Sequence, residues 1–103
     1  MNYALRAVNV SSYPVLSLEF TDGFVGELDL ADKIEIGPMF APLKDREFFN
    51  RVTLSDGGRV FGWRLDELGN EIDFAADAAR VDIETAMAMK AASNYRSHRT
   101  AAE

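Results

Sequence analysis

The chain has 103 residues, 48% of them hydrophobic, with one histidine, no cysteine and a formal net charge of −6. That suffices for one domain with its own core, and it excludes disulfides, thiol chemistry, thiolate metal sites and zinc sites of two or three histidines. The acidic balance argues against general nucleic-acid binding, which needs a positive surface to meet phosphate, and no apolar run approaches the roughly 20 residues of a membrane-spanning helix.

Residues 1–10 place Arg6 inside a short alternating stretch rather than in a signal-peptide layout, so a cytoplasmic setting is expected. "ALRAVNV" (4–10) reads as a first strand and "SSYP" (11–14) as a turn, where Pro14 cannot donate to a ladder. "VLSLEF" (15–20) alternates, with Leu16, Leu18 and Phe20 on one face; "FVGELDL" (24–30) alternates as well. A two-residue Asp22-Gly23 turn would oppose Leu18 to Glu27 and mix charge into the apolar face. A three-residue Thr21-Asp22-Gly23 loop pairs Phe20 with Phe24, Leu18 with Gly26 and Leu16 with Leu28. A one-residue slip would turn every side chain over, so the second register is expected, with Gly23 left-handed.

Pro38 and Pro42 break the next stretch, so 31–42 reads as an irregular loop or one short helical turn. A short helix near 43–50 follows, with Asp45 and Glu47 at its positive end and Leu43, Phe48, Phe49 and Val52 anchoring it. "RVTL" and "RVFGW" make a second hairpin around "SDGG", pairing Leu54 with Phe61 and Val52 with Trp63. "RLDELGNE" (64–71) is a polar loop. Asp73 reads as the cap of a short alanine-rich helical turn, and Asp82 as the cap of a C-terminal helix near 83–95. On that helix Ile83, Met87, Ala91 and Tyr95 fall on one stripe.

The expected fold is therefore α+β in a single domain over 1–103. Two hairpins and an N-terminal strand form a small antiparallel sheet, and residues 81–103 add a helix and a basic tail to a compact core of about 4–80. Residues 1–89 carry eight basic and sixteen acidic side chains; residues 90–103 carry Lys90, Arg96 and Arg99 against Glu103 alone. Such a basic end suits the negative pole of a helix.

The runs "LEFTDGFVGELDL", "MFAPLKDREFFNRVTL", "VFGW" and "IDFAADA", in that order, resemble the small bacterial domain-of-unknown-function family numbered 2442 over about residues 4–80. The resemblance implies a compact α+β domain with a small antiparallel sheet. It also implies an accessory, antitoxin-like partnership with a small neighbouring protein, as in some members. Others carry a helix-turn-helix domain after this one, for which residues 81–103 are too short. Members often place proline directly after the tryptophan, where this chain has Arg64. The family brings no catalytic residues to transfer.

The carboxylates give little chemistry. Asp29, Asp32 and Glu35 could ligate Mg²⁺ or Ca²⁺ through oxygen, but nothing fixes the three in one loop geometry and solvated surface carboxylates are expected; the acids of "DELGNEID" lack the ligand spacing and sixth-position glycine of a calcium loop. The hydroxyl residues have no basic partner nearby, and neither glycine turn matches a phosphate loop. No catalytic, cofactor or metal residue is assigned. The candidate partner or pocket surface is instead apolar: Met39 and Phe40 between two prolines, Phe61 and Trp63 on the second hairpin, and Met87 and Tyr95 on the last helix. A non-enzymatic protein-interaction module, binding a protein partner or itself, is the leading expectation. The alternative is a small-molecule binder or minor enzyme with a pocket between the 31–42 loop and Trp63, with Asp66 or Asp73 pointing inward. Nucleic-acid regulation through Arg96, His98 and Arg99 is a third reading.

Overall fold

The computed structural model describes residues 3–102 in backbone and residues 3–93 in side chain. Its fold is α+β. Strands β1 (Leu5–Ser12), β2 (Val15–Phe20) and β3 (Val25–Asp29) form an antiparallel sheet in that order. Helix α1 (Ala31–Glu35), a 3-10 segment (Pro38–Lys44) and helix α2 (Arg46–Phe49) cross to a second antiparallel sheet. That sheet comprises β4 (Thr53–Leu54), β5 (Val60–Trp63) and β6 (Ile72–Ala75), and helix α3 (Ala76–Ala102) closes the chain.

The first hairpin has the register that alternation requires. Leu16 opposes Leu28 and Leu18 opposes Gly26. The loop closes through a 2.8 Å bond from the Phe20 N–H to the Phe24 carbonyl, and Gly23 sits at φ 92°. Leu16, Leu18 and Phe20 are fully buried on the inner face. In the second hairpin Leu54 opposes Phe61, while Val52 lies just outside the two-residue strand β4, so its pairing with Trp63 does not form part of the ladder.

Three expectations are corrected. The strands form two sheets instead of one, because β6 pairs with β5 on the side away from β4, leaving β5 no free edge for the first sheet. Asp73 does not cap a helix: Ile72 and Phe74 turn inward while Asp73 and Ala75 are exposed, a period-two pattern that the alanines after it obscure. Nor does Asp82 start the last helix. It lies in the interior of α3, which begins at Ala76 and meets no glycine or proline that would interrupt it. The short helix near 43–50 is present as a 3-10 segment ending at Lys44 followed by α2. Asp45 caps α2, accepting from the Glu47 and Phe48 N–H groups at 2.9 and 3.3 Å.

Both sheets share one core. Leu16, Leu18 and Phe20 from the first meet Phe61, Trp63 and Ile72 from the second, with Leu43 and Phe49 between them. Two tethers hold the helical crossover: the Tyr13 hydroxyl donates to the Leu43 carbonyl and the Trp63 indole N–H to the Phe49 carbonyl, each at 2.9 Å. Bonds of this kind satisfy polar atoms that burial would otherwise leave costly.

Candidate interaction surface

Helix α3 starts as a core element. Ala76, Ala79, Arg80 and Ile83, spaced by three and four residues, are its buried positions. Arg80 is the one buried charged side chain among the described residues. Its guanidinium stacks over the rings of Phe24, Tyr3 and Phe20, at 4.0, 4.4 and 5.0 Å. It donates to both carboxylate oxygens of Asp22, at 3.0 and 3.2 Å, and to Glu84 at 2.9 Å. The Phe24 N–H donates to Asp22 as well, at 3.1 Å. That backbone bond, with the Arg80 guanidinium beside it, holds the Asp22 carboxyl below the usual aspartate range, against the opposing effect of partial desolvation. The cluster clamps the first hairpin to α3 and is a structural device.

Asp29 stands at the other end of β3, where its carboxylate accepts from the Ala31 N–H at 2.9 Å and opens α1. The two aspartates of the first hairpin therefore have separate tasks. Asp66 and Asp73 are exposed, so neither points into an enclosed pocket.

After Ile83 the helix leaves the body. Residues 84–93 are all exposed, including Met87 at 54% and Met89 at 69%. A groove of about 470 Å³ runs along this departing segment. Its apolar lining is Leu28 from β3, Ile36 after α1, and Ile83, Ala86 and Met89 from α3. Glu27, Asp29, Asp32 and Asp82 make its rim acidic, with Lys33 reaching toward Asp82 at 4.0 Å. Ile36 is 76% exposed, so both walls present apolar side chains to solvent.

A second groove, of about 450 Å³, lies beside Trp63 and the following loop. Trp63, Arg51, Arg64 and Asp66 are among its lining residues, with the Arg64 guanidinium 4.7 Å from the Phe48 ring. Neither of these two grooves is lined by both the 31–42 loop and Trp63.

The residues singled out from sequence are also separated. Phe61 and Trp63 are fully buried in the core. Phe40 is half-buried and stacks on Phe74 at 5.7 Å, while its neighbour Met39 is 72% exposed. Met87 is on the free length of α3; Tyr95 lies outside the described side chains. Ile36 and Ala86 were not among the residues singled out from sequence, because their grouping depends on where α3 starts, whereas Met89 was weighed there with Met87 and Tyr95 as either core or partner surface. Among the described residues no three acidic or histidine side chains are grouped so as to hold a metal ion, and no helix is long and apolar enough to cross a membrane.

No family model matches the chain, and no similar protein was found among curated proteins or solved structures.

Proposed function

We propose that this chain is a non-enzymatic protein-interaction module whose docking surface is the free length of α3 with the acidic-rimmed groove beside it. One observation carries the reading: from residue 84 to residue 93 the helix contacts solvent on every side, yet it presents Met87, Met89 and, across the groove, Ile36. An isolated helix in water gains little from its own hydrogen bonds and is ordinarily held by packing of one face. The distribution of acids supports the non-enzymatic part. Every described carboxylate is exposed except Glu19, half-buried and paired with Arg6 at 3.0 Å. General acid–base catalysis uses carboxylates whose pKa values burial or neighbours push toward neutrality.

The resemblance to family 2442 implies a small protein encoded nearby, in an accessory or antitoxin-like relation, as one form of partner, and self-association through the same surface is the other. A photo-crosslinking side chain placed at Met89 of the full chain, in its native cells, tests the surface. Discrete adducts from position 89 are expected. The same group at Leu68, 98% exposed on the 64–71 loop, is expected to give none. Equal or absent labelling at the two positions overturns the reading.

A further inference from the structure

We propose that a second copy of this chain covers the groove, its α3 running antiparallel to the first and crossing it at Met89; this rests on the interaction-module reading and names the partner.

The spacing along α3 favours this occupant. Asp82, Met89 and Arg96 stand seven residues apart, with Thr85 and Ala86 between the first pair and Ala92 and Ser93 between the second. Positions seven residues apart lie on one face of a helix, and small residues flanking a methionine let two backbones approach around it. Centring an antiparallel pair on Met89 puts Met89 opposite its own equivalent, Thr85 opposite Ser93, Ala86 opposite Ala92, and Asp82 opposite Arg96. The same arrangement applies in both directions, so the contact closes on itself as a two-fold dimer and does not propagate.

Charge selects the same partner. The groove rim carries Glu27, Asp29, Asp32 and Asp82 against Lys33, whereas residues 90–103 carry three basic side chains and one acid. A helix cannot fold its own end back onto its start. Fourteen residues separate Asp82 from Arg96, about 21 Å along a straight axis at 1.5 Å per residue. The basic end of α3 therefore reaches an acidic groove of this kind only on another molecule, and the second copy offers both halves of the match at once.

Sedimentation equilibrium of the full chain over a wide dilution series reads the proposal directly. The expected species is a reversible dimer of about 23 kDa, twice the 11.4 kDa chain. Asp82→Arg alone and Arg96→Asp alone should each weaken the dimer about tenfold or more through like-charge contact, and the two together should restore it. Asp82 is exposed on the helix, and far-UV circular dichroism verifies that each variant stays folded. A monomer at every concentration overturns the proposal, as does a dimer whose strength the single and double variants leave unchanged. In either case, crosslinking from position 89 to a different protein leaves the interaction-module reading standing, and absence of adducts removes it too.

Discussion

Arg80 shows how one side chain joins distant parts of the sequence. It sits 58 residues from Asp22, yet it packs against three aromatic rings and donates to the turn aspartate of the first hairpin. Because the Asp22 carboxyl titrates below its ordinary range in the folded protein, it contributes stability that is fully present above about pH 4, the unfolded value. That contribution fades as pH falls through the lower folded value. Urea unfolding should thus show the wild type more stable than Asp22→Asn at neutral pH, with the difference closing as the pH drops below the ordinary aspartate range. A difference constant with pH contradicts the assignment. Asp22 was legible in the sequence as a turn residue, since alternation on both sides fixed the loop length. Its partner was not, because nothing local to "AARVD" marks an arginine destined for an aromatic cage.

At the scale of elements, Gly58 sets how closely the two sheets approach. It sits at φ 69°, and a methyl group there would lie 2.1 Å from the Leu5 carbonyl oxygen of β1. Its neighbour Gly57 has φ 81° but open space around it. Gly57→Ala should therefore cost about 1 kcal/mol for the left-handed backbone alone. Gly58→Ala should cost upwards of about 2 kcal/mol, since β1 must also shift. Comparison of the two by chemical denaturation checks this, and equal costs would contradict the close approach. The hairpins were readable because a period-two pattern bounded by turn residues permits one register. The segment 72–83 was not, because Asp73 and Asp82 are both good caps in isolation. What decides between strand and helix is the fit of Phe74 against Phe61, 5.6 Å away, and of Ile72 opposite Trp63. That tertiary packing overrides local propensity.

For the whole molecule, the core accounts for residues through Ile83, and α3 then extends beyond it. The helix has 27 residues, about 40 Å of axis at 1.5 Å per residue, within a longest dimension of 57 Å. The candidate surface follows from that shape. The methionines were visible in the sequence, but a helix taken to begin at residue 83 keeps its stripe on the core, whereas one beginning at Ala76 has used its buried face by Ile83 and leaves the remainder outward. In the proposed dimer this remainder is held by a second copy and not by its own body. Amide hydrogen exchange along α3, followed across dilution, tests it most directly. Protection of residues 79–83 is expected at every concentration, and protection of residues 88–100 is expected to grow as concentration rises. Exchange beyond residue 88 that does not change with concentration would contradict it.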